Sequence, residues 1–449
     1  MFDPQFQIRG RTIGDKLQST HAAGPSGLIH RLRWWIGGLL LASTVINYID
    51  RQTLSLLAPF LKLQYHWTNT DYAAIVIAFR IAYSFGQSAC GRLMDRVGAR
   101  RGLTLTVAWY SLVSMLTSLA AGFWSFAGLR FLLGAGESGN WPGATKVVGE
   151  WFPRQERALA TALFDSGSSL GGAVAPFLVL GIYFRWGWRP AIMVPGALGF
   201  LWIICWRWLY RPLASHPRLS AEEREFITAV PADQSFPPQH TERTPWLGLL
   251  KLRQTWAIVA AKAFTDPVWY FVADWFPIYL VAKGISLRGS LIAIWIPFLA
   301  TDAGNFFSGW LSGVLIRRGW SLAAARKAFI IGGGIGVLLL IPTVFTANVY
   351  VITALFALST FAYGCVTTIA NVLPADLFEN TSVASVSGIS NTGSGLCTIV
   401  AFLLVGLVSD ARQSSLVHSF DPILIGAGLL PFTGMILVLF LLRRPKPTS

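Results

Sequence analysis

Apolar segments long enough to cross a lipid bilayer recur along almost the whole chain. A helix of about 20 residues spans the ~30 Å hydrocarbon core of a membrane, and each segment reaches roughly that length. Only 13% of the 449 residues are charged and 53% are hydrophobic, whereas a soluble domain carries about 25% charged residues. We therefore predict an all-α membrane protein with twelve transmembrane helices, at residues 34–61, 71–92, 102–122, 124–149, 158–181, 189–211, 246–281, 288–316, 327–345, 348–374, 383–409 and 420–443.

The net charge of +15 comes from Lys and Arg residues in short connections between the apolar segments. Because the charge is dispersed in this way, a nucleic-acid partner is not expected. The basic residues concentrate in alternate connections, and such connections lie in the cytoplasm of membrane proteins. We expect a multi-pass inner (plasma) membrane protein, in contact with lipid, with both termini in the cytoplasm.

A polar stretch at about 212–245 divides the predicted spans six and six. Ser220 and Glu223 have the spacing of a capping box, with Glu223 reaching back to the start of a short helix. The segment Gly91–Asp95 is echoed by Gly309–Gly313 at the same place in the second half, as expected of an internal repeat. The predicted division is a cytoplasmic tail (1–33), a six-helix bundle (34–211), a cytoplasmic linker (212–245), a second six-helix bundle (246–443) and a tail (444–449).

The connection between the second and third spans carries the most specific motif. It reads Gly-Arg-Leu-Met-Asp-Arg-Val-Gly-Ala-Arg-Arg from residue 91 to residue 101, and it matches the G-x-L-x-D-R-x-G-x-R/K-R/K signature of the major facilitator superfamily. Small residues let helices meet closely, and Asp95 can pair with arginines at a cytoplasmic mouth. A basic loop with a glycine turn is the alternative interpretation. The predicted gating residues are Gly91, Asp95, Arg96, Gly98 and Arg101.

Four further stretches resemble the anion:cation symporter family within that superfamily. They are Asn47–Ser55 in span 1, Arg130–Glu137 in span 4, Glu150–Arg157 after it and Asp266–Trp269 in span 7. Bacterial hexuronate and galactonate transporters belong to that family. The resemblance implies two six-helix bundles with a substrate site between them, and symport of a small organic anion with a cation.

Spans 1 and 4 contain charged residues at positions where insertion of a charge costs at least about 2.5–3.5 kcal/mol. Arg130 and Glu137 are seven residues apart and share one helix face. The resemblance maps Asp50 and Glu137 onto proton-coupling carboxylates, and it maps Arg51 and Arg130 onto cations that bind the substrate. The alternative is that these four charges neutralise one another and hold span 1 against span 4.

Polar side chains near these charges complete the predicted substrate site. Tyr48, Tyr83 and Gln87 offer phenol and amide groups that suit sugar hydroxyls. Asn391, in a glycine-rich break of span 11, matches a family position that contacts the substrate, although helix packing explains the small residues equally well.

One arginine departs from the family pattern. Arg80 shares a helix face with Tyr83 and Gln87, so it is predicted either to bind the substrate as a further anchor or to pair with Asp71 or a lipid phosphate. Asp165, Ser168 and Asp274 also differ from the family pattern, which leaves the identity of the substrate open.

These observations predict a secondary active transporter for proton-coupled symport of a sugar acid, such as galacturonate, glucuronate or galactonate, by alternating access. Two buried carboxylates beside arginines can exchange protons, whereas Na⁺ needs several converging neutral oxygens and is less favoured. We expect a monomer without metal or cofactor. An enzyme is not expected, because HExxH, Walker and Cys/His metal motifs are absent from the sequence. The alternatives are a transporter or antiporter of another organic anion, such as a dicarboxylate or an aromatic acid, and a non-transporting membrane sensor on the same fold.

Overall fold

The computed structural model describes residues 28–229, 245–283, 291–411 and 420–442, which form helices joined by short loops. The predicted tail 444–449, most of the tail 1–33 and the middle of the predicted linker lie outside these ranges. Within the described part, seven helices are long and apolar enough to cross a membrane by length and composition alone.

The first half contains six predicted spans, and two of these spans are divided. The fourth span consists of α4 and α5, separated at Ser138 and Gly139, and the fifth consists of α6 and α7, separated at Ser166. The helices are α1 (Leu32–Tyr65), α2 (Asn69–Val97), α3 (Ala99–Thr117), α4 (Phe123–Glu137), α5 (Asn140–Trp151), α6 (Arg154–Asp165), α7 (Gly167–Trp186) and α8 (Trp188–Leu209).

The linker and the second half follow the same plan. The seventh span is divided between α11 and α12, and the ninth ends in a 3₁₀ helix at Val337–Phe345 that contains Pro342. The helices are α9 (Ala221–Thr228), α10 (Trp246–Leu249), α11 (Arg253–Ala263), α12 (Asp266–Ala282), α13 (Leu291–Arg317), α14 (Leu322–Gly336), α15 (Val349–Leu377), α16 (Val383–Ala411) and α17 (Asp421–Leu441).

The twelve predicted spans correspond to these helices, most of them within a few residues at each end. The largest difference is in the seventh span, which begins at Arg253 and not at residue 246, because a separate short helix and a turn occupy 246–252. The predicted break in span 11 is wrong, since α16 is continuous through Asn391. Its small residues serve close packing: a Cβ atom on Gly388 would collide with the backbone of Gln87 on α2.

The two halves contact each other through a repeated arrangement of helices. The second span of the first half, α2, packs on α16, the fifth span of the second half. The second span of the second half, α13, packs on α6 of the fifth span of the first half. Gly91 lies against Ala384 in one contact, and Gly309 lies against Ala158 in the other. The sequence echo between Gly91 and Gly309 therefore has a structural counterpart, in which each glycine brings two backbones together.

Asp95 connects the halves at the end of the molecule that carries the Arg-rich loop after α2, here called the basic end. Its carboxylate accepts hydrogen bonds from the backbone N–H groups of Ser385 (2.7 Å) and Ala384 (3.3 Å), at the start of α16. Lys146 on α5 donates to the same carboxylate at 2.9 Å and also bonds to the carbonyl oxygen of Asn380. A carboxylate is favourable at a helix N-terminus because it complements the helix dipole.

Asp376 on α15 forms a second connection at the basic end, which the sequence analysis did not predict. Its Oδ2 atom lies 2.8 Å from Nε of Arg326 on α14, and its Oδ1 atom lies 3.4 Å from Nη1 of Arg157 on α6. Arg326 also donates to the carbonyl oxygen of Arg154 at 3.1 Å. The Asp376 side chain is fully buried, so both arginines are held where water does not screen them.

The other predicted gating residues lie around the turn between α2 and α3. Gly98 has φ of 81°, a left-handed conformation that glycine adopts without strain. Arg96 and Arg101 are exposed. Their gating role stays a prediction.

The linker helix α9 is fixed to the start of α1. Ser220 caps α9 as predicted, accepting a hydrogen bond from the Glu223 N–H at 3.1 Å. The second part of the predicted capping box is wrong, because the Glu223 carboxylate accepts instead from the Leu32 N–H at 3.0 Å and from Arg33 Nη1 at 2.7 Å. The α1 N-terminus and the Arg33 charge hold this carboxylate more strongly than one neutral backbone N–H would.

Replacing Asp95 with asparagine is expected to favour opening of the basic end. The variant loses a charge that is worth about 0.3–2 kcal/mol at a helix N-terminus and leaves Lys146 without this counter-charge, so the population of open molecules should rise severalfold. Spin labels at the exposed positions Arg207 and Arg318, with the native cysteines replaced, would report the distance between the halves.

The matched control is Asp71→Asn, which removes a carboxylate from the N-terminal cap of α2, at the opposite end of that helix. It should leave the distance distribution unchanged. An Asp95→Asn distribution that is identical to that of the unmodified protein would refute the gating role of Asp95.

Candidate functional site

Arg51 on α1 and Glu137 on α4 form an ion pair between the first and fourth spans. Arg51 Nη2 and Nε lie 3.1 and 3.3 Å from Glu137 Oε2, and Nη2 also donates to Asn47 Oδ1 at 3.2 Å. The Glu137 side chain is fully buried, whereas that of Arg51 is 24% exposed. Oε1 of Glu137 has no hydrogen-bond partner among the described residues. The carboxylate is therefore held by one arginine that a solute can reach.

Asp50 and Arg130 are buried in the first half near this pair. Ser114 on α3 donates to Asp50 Oδ1 at 2.9 Å, while Asp50 Oδ2 and Arg130 Nε have no hydrogen-bond partner in the described part of the chain. Arg130 lies close enough to Asp50 and Glu137 to interact with both electrostatically. The four charges sum to zero. The arrangement is therefore compatible both with mutual neutralisation of the four side chains and with proton exchange at the carboxylates.

Aromatic rings surround the Arg51 guanidinium. Its central carbon lies 4.5 Å from the ring centre of Tyr83, 5.0 Å from that of Tyr48 and 5.3 Å from that of Phe79. Cation–π contacts of this kind stabilise a guanidinium that has lost its water. Tyr48 also lines a cavity between the two halves, so it joins the ion pair to the wall of that cavity.

The cavity lies between the first, fourth and fifth spans on one side and the seventh, eighth and tenth on the other. Its volume of about 110 Å³ is below the range of about 300–1,000 Å³ typical of drug-sized ligands, so it suits a small solute. Aromatic side chains form much of its wall, namely Tyr48, Trp141, Trp269, Tyr270 and Tyr363.

A polar network crosses this cavity from one half to the other. Asp165 on α6 accepts hydrogen bonds from Trp141 Nε1 and from Asn371 Nδ2 on α15, each at 2.9 Å. Asn371 in turn accepts a hydrogen bond from Lys262 Nζ on α11 at 2.5 Å. Lys262 also lies 3.5 Å from the carboxylate of Asp266. The network connects five side chains of the cavity wall, from both halves of the molecule.

The remaining predicted residues lie at different distances from this cavity. The Arg80 guanidinium lies 5.7 Å from the ring centre of Tyr270, which lines the cavity. Gln87 is buried in the contact of α2 with α16, and Asn391 is buried on α16. Neither is among the residues that line this cavity. Their roles in substrate binding stay predictions.

Two of the unusual residues in the sequence have informative positions. Asp165 and Ser168 both line the cavity, so the departures from the family pattern fall at the site itself. The side chain of Asp274 lies outside the described part of the structure.

Sequence reasoning missed Lys262, Asp302 and Asn371 as cavity residues. Lys262 and Asp266 are four residues apart across the turn between α11 and α12, and a lysine and an aspartate at this spacing inside an apolar segment are a signal that could have been used. Asn371 is an uncharged amide in a long apolar span, and nothing in the sequence alone distinguishes it from a packing residue.

Comparisons with known proteins agree with this architecture. The sequence model of the Major Facilitator Superfamily matches residues 40–402. The hexuronate transporter of Escherichia coli is 29% identical over 388 residues, covering 85% of this chain and 89% of that protein. The probable galactarate/D-glucarate transporter GarP of Escherichia coli is 30% identical over 449 residues, covering 96% of each.

Solved structures resemble the fold at low sequence identity. The human organic anion transporter MFSD10 superposes with a TM-score of 0.65 at 14% identity, covering 90% of this chain and 99% of that one. The proton:xylose symporter XylE superposes with a TM-score of 0.66 at 14% identity, covering 92% and 96%. At these identities the similarity concerns the fold alone.

The family match extends over most of the chain, and the relatives match it almost from end to end. Twelve spans in two halves, a polar cavity between them and charged residues buried beside that cavity are the corresponding structural features. The chain belongs to the Major Facilitator Superfamily and is a multi-pass membrane transporter, not an enzyme.

Proposed function

We propose that this transporter carries a sugar acid into the cell together with protons, by alternating access. The observation that carries the proposal is the contact between partly exposed Arg51 and buried Glu137 beside the cavity. A guanidinium offers two parallel N–H donors to a carboxylate, so an organic anion can compete with Glu137 for Arg51. The relatives named for hexuronate, galacturonate and galactonate transport support a sugar acid as the anion.

In this proposal, proton coupling arises because Glu137 loses hydrogen bonds from Arg51 when the substrate binds. In the empty site Arg51 stabilises the ionised form of Glu137. A substrate carboxylate that takes hydrogen bonds from Arg51 weakens this pairing and leaves a buried carboxylate that is poorly compensated. Glu137, with Asp50 nearby, then binds a proton more readily. Substrate and proton therefore favour each other's binding, and by linkage the effect is reciprocal.

The contacts at the basic end support the assignment of this structure to one step of the proposed cycle. Asp95 and Asp376 join the two halves on that side. We place the basic end and both termini in the cytoplasm of an inner-membrane protein because Lys and Arg residues concentrate there. The structure then corresponds to the state that receives substrate from outside, and breaking these contacts allows release inside.

Glu137→Gln and Asp50→Asn are expected to abolish accumulation of substrate against its gradient, because neither amide can carry a proton across the cycle. Exchange of internal for external substrate should persist, since Arg51 and Arg130 remain. The measurement is uptake of a labelled sugar acid into proteoliposomes with an inward proton gradient, with and without a protonophore. The control is Glu225→Gln on the exposed surface of α9, which should behave as the unmodified protein. Proton-driven accumulation by both carboxylate variants would mean that these residues are structural.

Arg51→Ala is expected to abolish both accumulation and exchange, because it removes the substrate anchor itself. Hydrogen bonds to charged groups contribute about 1.5–3 kcal/mol each, so affinity should fall more than tenfold. Arg51→Lys keeps the positive charge but lacks the two parallel N–H donors of the guanidinium, so its affinity for the sugar acid should lie between those of Arg51→Ala and the unmodified protein. The test is equilibrium binding of the sugar acid to the purified protein, measured as the rise in thermal stability that the ligand causes. Unchanged affinity of the Arg51→Ala variant would exclude Arg51 as the residue that binds the substrate carboxylate.

A further inference from the structure

The charged side chains that line the cavity are mostly acidic. Among the described residues of its wall, Asp165, Asp266 and Asp302 face one lysine, Lys262. The lysine charge is already compensated, because Lys262 Nζ lies 3.5 Å from Asp266 Oδ2. The described lining therefore carries three carboxylates and one ammonium group, an excess of negative charge.

Two of these carboxylates, Asp165 and Asp302, lie beside neutral polar side chains. Asp165 accepts hydrogen bonds from Trp141 and Asn371. Asp302 on α13 lies near Ser169 on α7 and Asn305, which also line the cavity. Asp165 and Asp302 thus offer acceptor oxygens from different halves of the molecule.

Two arginines lie behind aromatic parts of this lining and are not themselves among the described residues that line the cavity. The Arg51 guanidinium contacts the ring of Tyr48, and the Arg80 guanidinium contacts the ring of Tyr270, and both rings line the cavity. A substrate carboxylate that reaches Arg51 must compete with Glu137 for it, while the lining itself presents carboxylate and amide oxygens. Such oxygens accept hydrogen bonds from sugar hydroxyls, and bonds to ionised acceptors are the stronger ones.

We propose that the cavity selects sugar acids with a single carboxylate and discriminates against sugar diacids of the same length. The carboxylate binds Arg51 in competition with Glu137, and the hydroxyl chain donates to Asp165, Asn371 and Asp302. A second carboxylate at the far end of the ligand would meet Asp165 and Asp302 in a site of low dielectric, where like charges repel strongly. This inference rests on the proposed function and specifies its substrate class.

Sequence similarity does not distinguish a transporter of monoacids from a transporter of diacids. Relatives named for monoacids, such as the hexuronate transporter, are 29% identical to the chain, and one named for the diacids galactarate and D-glucarate is 30% identical. We expect the charge of the cavity wall to decide between the two classes of ligand, because they differ in one terminal carboxylate.

Galactonate and galactarate provide the test, since they differ only in whether the last carbon is an alcohol or a carboxylate. Binding of each to the purified full chain is measured by calorimetry at neutral pH. We expect galactonate to bind at least tenfold more tightly. Asp302→Asn should narrow this ratio at least threefold by strengthening galactarate binding, because the amide no longer repels the second carboxylate. Asp71→Asn, a matched substitution in the α2 cap, should leave the ratio unchanged.

The outcomes are distinct. Galactarate binding as tightly as galactonate to the unmodified protein overturns the inference, and this arm does not depend on the folding of any variant. A ratio that a folded Asp302→Asn protein leaves unchanged also overturns it. Binding of neither acid, nor of hexuronates, overturns the proposed function itself, and the inference with it.

Discussion

An ionised side chain inside a bilayer must find a counter-charge or water, and this requirement governs the centre of the molecule. The hydrocarbon around the helices offers neither, so every buried charge described above faces another helix or the cavity. In the first half, the charges of two arginines and two carboxylates sum to zero, and Arg51 contacts Tyr48, which lines the cavity. Their neutrality allows the bundle to fold in lipid, and the incomplete hydrogen bonding of Asp50, Glu137 and Arg130 leaves them sensitive to any additional charge. Structural neutralisation and ion coupling are therefore two properties of one cluster.

The contact between the halves divides into a part that fits by shape and a part that depends on charge. Gly91, Gly309 and Gly388 allow backbones to meet closely at α2–α16 and α6–α13, and a neutral hydrogen bond between Ser88 and Thr392 adds to the α2–α16 contact. The ionic contacts of Asp95 and Asp376 are confined to the basic end, and the polar network of Asp165 crosses the cavity. In the proposed alternating-access cycle the close helix contacts would form the pivot, and the ionic contacts of the basic end would open and close beside it.

The fold could be predicted almost completely from the sequence, because segment length and apolarity are set by the bilayer and not by details of packing. The charged residues of spans 1 and 4 could also be singled out as candidate functional residues, because a charge in an apolar span is costly unless it has a partner or a function. The contact of Asp376 with Arg157 and the network of Lys262, Asn371 and Asp165 were not predicted. Each joins residues more than 100 positions apart, and their meeting depends on how the two bundles dock. The uninterrupted helix α16 was mispredicted for a similar reason. Glycines at helical spacing indicate that another helix packs closely, but the sequence alone does not show whether the glycine-containing helix is broken or continuous.

The position of Asp376 has a consequence for the speed of the transport cycle. It is shared between Arg326 of its own half and Arg157 of the other half. When the halves separate, Asp376 keeps Arg326 as its counter-ion, and Arg157 keeps its hydrogen bonds to the carbonyl oxygens of Phe152 and Gly149, at 3.0 and 2.9 Å. Asp376 then keeps a counter-ion and Arg157 keeps two neutral acceptors, so both side chains retain their orientation. In the proposed cycle we therefore expect re-closure to require little rearrangement of side chains, and the return of the empty carrier to be limited by the movement of the bundles.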